Sequence, residues 1–170
     1  AFLVSRTLDG EGLMHYVDLA LKHVSPERRA VRGYIAFLRG MGSYQDQYAA
    51  AEESWREAAR LNTEAGNPLV AVNCLVALGE LNRVQGKLSK SLSVNREAAQ
   101  LALDERGEPL PVSAEVYVAR ARLHYEWDDF ESAEADLARA AEQMAIYQNF
   151  DLKVDYNTWL AYLRLAQGRL

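Results

Sequence analysis

Isoleucine and threonine are scarce in this sequence: 2 Ile and 3 Thr among 170 residues. A sandwich or barrel draws heavily on such side chains, so their scarcity argues against both. Basic charge is not in excess either, with 19 Lys and Arg against 24 Asp and Glu, a net charge of −5. A nucleic-acid binder needs a cationic footprint, and none is present. The acid is uneven, since residues 104–155 carry 13 acids and 5 bases. The single cysteine, Cys74, has no internal partner for a disulfide, which suits a reducing cytoplasm. No apolar run reaches the ~18–20 residues of a membrane helix. The start, Ala1-Phe2-Leu3-Val4-Ser5-Arg6, has neither an initiator methionine nor the layout of a signal peptide. We expect a piece of a longer protein.

What the sequence has in abundance is Ala and Leu, 26 and 23 residues. Both favour helix, and the composition predicts an all-α chain. Turn signals fall at Ser25-Pro26, Gly40-Met41-Gly42, Gly66-Asn67-Pro68, Gly86, Gly107 to Pro111, Asn149 and Gly168. Between them apolar residues recur at steps of three and four. This pattern predicts helices near 11–24, 27–40, 45–63, 68–85, 88–105, 112–126, 130–147 and 152–167. Ser25-Pro26 and Asn67-Pro68 read as a capping side chain followed by proline in the first turn. Gly66, Gly86 and Gly107 suit the left-handed residue beyond a helix end.

A repeat runs through these helices. Tyr48, Ala51, Trp55 and Ala58 are spaced by three, four and three residues. The spacing recurs at Leu88, Ser91, Asn95, Ala98 and at Phe130, Ala133, Leu137, Ala140. Asp46, Gly86 or Asp128 stands two residues before each lead position, and Gly168-Arg169-Leu170 opens a fourth copy. Lead positions therefore recur about every 40 residues. Each unit reads as a helical hairpin whose alanines let two helices approach. One hairpin cannot bury its apolar face alone, so units are expected to stack into a right-handed superhelical solenoid. The reading is one repeat domain over 1–170, with hairpins near 27–63, 68–105 and 112–147 and a partial unit at each end.

The order and spacing resemble the tetratricopeptide pattern, with a period longer than the usual 34 residues. Asn95 stands where that pattern has an aromatic, and Ser91 where it has Ala. The stretches Gly86 to Ser91, Leu123 to Glu134 and Leu163 to Leu170 are similar to the helical-repeat region of MalT-like, LuxR-family ATP-dependent transcriptional regulators. The resemblance implies a non-enzymatic sensor solenoid. It would bind a small-molecule inducer or a protein partner and relay that event to nucleotide-binding and helix-turn-helix modules. It also implies that DNA is contacted by another part of the regulator and not by this region. A general tetratricopeptide scaffold holding a peptide is the alternative.

No catalytic constellation, metal site or cofactor site is expected. Gly86-Lys87 lacks the glycine and hydroxyl of a phosphate loop, because Leu81 and Leu88 occupy those places. His15 and His23 are eight residues apart and have no carboxylate of fitting geometry, a weak zinc case. His124 reads as packed or hydrogen-bonded, and Cys74 as a small core residue. Asp128-Asp129-Phe130-Glu131 resembles an aspartate-rich metal box, but capping of a helix start explains it.

The remaining candidate is the inner face of the solenoid. The repeat register places Asn73, Glu80, Arg83, Arg122, Tyr125, Glu126, Trp159 and Tyr162 there. Such rings can stack on a sugar or planar ligand, and such arginines can hold a carboxylate or phosphate. The plainer reading pairs Glu80 with Arg83 and Arg122 with Glu126 at helical spacing. Near the C-terminal end, Trp159, Leu160, Leu163 and Leu165 are expected to lie exposed and to seek cover by homodimerisation.

Overall fold

The computed structural model describes residues 10–169. The start at Ala1–Arg6 and the lead residue Leu170 lie outside the described residues. Within them the chain forms eight helices and no strand: α1 (Gly10–His23), α2 (Arg29–Ser43), α3 (Tyr48–Glu64), α4 (Pro68–Val84), α5 (Leu88–Leu101), α6 (Ser113–Glu126), α7 (Phe130–Met144) and α8 (Phe150–Ala166). All eight expected helices are present. The chain divides into two compact units, Ala1–Leu81 and Asn82–Leu170, and α4 contributes residues to each.

The repeat is most visible where helices end. Gly66, Gly86 and Gly168 take left-handed backbone with φ of +67°, +71° and +69°. Asp128, in the equivalent place after α6, does the same at +57°, a conformation that Asp tolerates better than most side chains. In each of these turns the following N–H returns to a carbonyl five residues back. Asn67 donates to Asn62, Lys87 to Asn82, Asp129 to His124 and Arg169 to Arg164, all at 2.8–2.9 Å. This closure satisfies carbonyls that the helix end leaves open. Asp46 departs from the set. There α2 continues through Ser43, and the Gln47 N–H closes on the Ser43 carbonyl.

Several boundaries differ from the sequence reading for identifiable reasons. Gly40 and Gly42 look like punctuation but lie inside α2, and at Gly40 the closeness of the Trp55 ring requires glycine. α2 starts at Arg29, because Ser25 to Arg28 form a turn in which the Ser25 carbonyl accepts the Arg28 N–H. α5 stops at Leu101, short of residue 105. The Asp104 carboxylate accepts the N–H groups of Arg106 and Glu108, and Leu103 bridges to Pro109, so the chain reverses there. Gly107 is left-handed as expected, but within this reversal and not at the helix end.

In the first unit α2 packs on α1 and α3. Leu13, Val17 and Ile35 form one core cluster, and Ala51, Trp55 and Ala58 are buried on α3. In the second unit α6 packs on α5, α7 and α8, and α7 packs on α8. Ala114, Val118, Ala140 and Leu152 form one cluster there, and Ala121, Ala133, Leu137 and Leu163 another. The small residues expected at helix contacts, Ala51, Ala58, Ala133 and Ala140, are all buried.

The expected exposure of the C-terminal end is only partly met. Leu163 is buried, and Trp159 and Leu160 pack against the core, because α8 folds back onto α6 and α7. Leu165 does stay exposed, as do Phe150 and Val154 on the same helix.

Candidate functional site

The second unit builds its densest cluster of aromatic and charged groups where α8 crosses α6. On α8, Leu152, Tyr156, Trp159 and Leu163 follow at steps of four, three and four, a helical stripe that meets the small residues of α6. Trp159 ends up among polar neighbours. Its ring meets the edge of Tyr125 at 5.6 Å and that of Tyr162 at 5.5 Å. The guanidinium groups of Arg83 and Arg122 each lie 5.8 Å from its ring centre. That distance brings each cation within reach of the electron-rich ring face. Tyr125 also contacts Phe130, at the start of α7, and Tyr162.

Carboxylates complete the cluster. Arg83, in the last turn of α4, pairs with Glu126 at 2.5 Å. Arg122 of α6 pairs with Asp155 of α8. Both ties connect different helices, beyond the pairings along one helix that the spacing suggested. Side-chain exposure is 18% for Arg83 and 16% for Arg122, so the guanidinium half of each ion pair is sheltered.

Six of the eight sequence-predicted residues thus meet in the second unit: Arg83, Arg122, Tyr125, Glu126, Trp159 and Tyr162. Asn73 and Glu80 belong to the first unit, half-buried on α4. The indole is not an open stacking platform, since two guanidinium groups already lie on it. Tyr162, 48% exposed, is the ring that faces solvent.

Three residues of this region escaped the sequence reading. Asp155 lies four residues before Trp159 and seven before Tyr162, and that spacing puts it on their face of α8. Glu115 lies seven residues before Arg122 on α6, and Asn149 joins it to α8. The Asn149 side-chain oxygen accepts the N–H groups of Asp151 and Leu152, capping α8. Its amide donates to Glu115 at 2.9 Å. Burial pushes the Glu115 carboxyl up to about 7, against the opposing pull of Arg122, Asn149 and Tyr147.

A second polar group lies between α6 and α7. Asp136 is buried and faces Arg120 at 3.2 Å, His124 at 3.6 Å and Arg139 at 3.8 Å. Desolvation raises its pKa, with Arg120 the strongest opposing influence. His124 also stands 3.3 Å from Asp129, so it is held between two aspartates. Asp129 itself accepts the Ser132 N–H and caps α7, the role its position suggested. Cys74 is buried, and burial pushes its thiol up to about 12. Among the described residues no group of three or more His, Cys, Asp and Glu is arranged to hold a metal ion, and no helix is long and apolar enough to cross a membrane.

Comparison with known proteins matches the chain to a family. The family described as the MalT-like TPR region matches residues 1–170. No curated protein and no solved structure matches the chain.

Proposed function

The chain belongs to the MalT-like TPR region family, and from that premise we propose that it is the sensor region of a LuxR-family, ATP-dependent transcriptional activator working in the cytoplasm. It carries out no chemistry of its own. A small-molecule inducer or a protein partner binds the face formed by α6 and α8. The bound state then favours the arrangement in which the regulator's nucleotide-binding and DNA-binding modules are active. For that to happen the ligand must bind one arrangement of the repeats more tightly than the other.

The observation that carries this reading is the cluster around Trp159. Six residues picked from the repeat register alone lie together, with two guanidinium groups sheltered by rings and an exposed tyrosine beside them. Trp159 is also part of the core of the second unit, but the two guanidinium groups on its ring and the exposed Tyr162 are not needed there. The uneven charge fits the same division of labour, because an acidic stretch at 104–155 disfavours contact with DNA.

The test is a thermal-shift screen of the chain against a metabolite panel, repeated with Arg122→Ala and Trp159→Ala. The expected result is a stabilising ligand whose shift disappears in both variants. A panel without a stabilising ligand, a shift that survives both changes, or specific promoter binding by this chain alone would remove the reading.

A further inference from the structure

The four charges around Trp159 are not equally committed to their places. The arginine side chains are the sheltered half, while Glu126 and Asp155 keep 38% and 32% of their side-chain surface exposed. The indole further confines both guanidinium groups, so much of the cost of drying and ordering them already falls on the free protein. Glu126 is held more weakly by its own helix. It is the last residue of α6, where the negative pole of the helix opposes a carboxylate. Its tie to Arg83 is what offsets that opposition. An exposed tyrosine ring, Tyr162, completes the rim next to Trp159.

We propose that the ligand of this face is a ring-bearing carboxylate that takes the place of Glu126 on Arg83, and that Glu126 is a built-in placeholder for it. This rests on the sensor reading above. Glu126 itself indicates the group that fits, a planar carboxylate facing a guanidinium at 2.5 Å, and the guanidinium fork matches that shape with two parallel hydrogen bonds. The ring of the ligand would lie against Tyr162. Exchange also has a structural consequence. The tie between the last turn of α4 and the end of α6 is cut when Glu126 leaves, so occupancy is converted into a change between helices.

The probe is benzoate, titrated into the 170-residue chain and followed by NMR at the Trp159 indole N–H and the Arg83 Nε–H. Benzyl alcohol serves as the neutral counterpart and inorganic phosphate as the non-planar anion. We expect saturable shifts with benzoate, none with benzyl alcohol, and at least threefold tighter benzoate binding in Glu126→Gln. Arg83→Gln should lose binding while the resonances of α1, α2 and α3 stay superimposable on the parent. Absence of saturable benzoate shifts in both the parent and Glu126→Gln would overturn the proposal. So would benzoate binding in Glu126→Gln that is equal or weaker, equal shifts with benzyl alcohol, or saturation by phosphate with none by benzoate. A neutral metabolite that stabilises the chain through Arg122 and Trp159 would leave the sensor reading standing and remove only this one.

Discussion

The hairpins α2–α3 and α6–α7 are two copies of one repeat, and they are closed by different means. Counted back from the lead residues Tyr48 and Phe130, Gly33 and Gly40 occupy the places that Glu115 and Arg122 hold in the second copy. In the first copy a side chain there would collide with its neighbours. A Cβ on Gly40 would lie 2.4 Å from the Trp55 ring, and one on Gly33 would lie 2.3 Å from the Asn62 amide. The indole seated over Gly40 also donates to the Phe37 carbonyl at 3.2 Å, which fixes its orientation. In the second copy Leu137 replaces Trp55 and Met144 replaces Asn62. Polar groups stand where the glycines were, and they connect to α8 through Asn149 and Asp155. A repeat that is closed by shape leaves no polar group to spare, whereas one closed partly by charge can carry a binding face.

The largest effect should come from breaking the charged closure. Asp136→Ala removes the buried carboxylate shared by Arg120, His124 and Arg139 between α6 and α7, and a loss of about 3 kcal/mol is expected in urea denaturation. Gly40→Ala attacks the closure by shape. Overpacking against Trp55 should destabilise the first hairpin by about 2–3 kcal/mol, read in the same way.

A smaller, pH-dependent effect belongs to Glu115. Its pKa is raised on folding, so the native state holds a proton that the unfolded chain releases from about pH 4.5 upward. Stability attributable to this residue therefore falls as pH rises from 4.5 to 7 and stays low above that. Glu115→Gln should stabilise the chain by about 1–2 kcal/mol at pH 8 and by little at pH 5. An equal gain at both values would contradict the assignment. The smallest effect is at the turn after α6. Asp128→Gly relieves a left-handed side chain and should raise stability by roughly 0.5–1 kcal/mol, visible as a modest increase in Tm.

Much of this architecture is legible in the sequence because the repeat states each element several times. The alanines at 51, 58, 133 and 140 and the glycines at 66, 86 and 168 carry helix contacts and turns that can be compared copy with copy. What misleads is a residue whose role depends on a distant partner. Gly40 reads as a turn, since nothing local reveals the Trp55 ring that requires it. The end of α5 is hidden in the same way, because Asp104 looks like an ordinary helical acid until its carboxylate takes the next N–H groups. For the site, helical spacing identifies the residues on one helix face, and six of them do meet. It does not identify the partners. Arg83 reaches Glu126 and Arg122 reaches Asp155 across helices, and only the packing of α8 on α6 brings those charges together.

The proposed sensor role places binding on the face of the second unit that its polar residues create, and not on the glycine-closed first hairpin. Hydrogen–deuterium exchange of the chain, with and without a stabilising ligand from the metabolite screen, tests this most directly. The predicted result is slowed exchange in the last turn of α6 and along α8, unchanged exchange in α2 and α3, and no slowing in Trp159→Ala. Protection centred on α2 and α3, or protection of α8 that persists in Trp159→Ala, would contradict it.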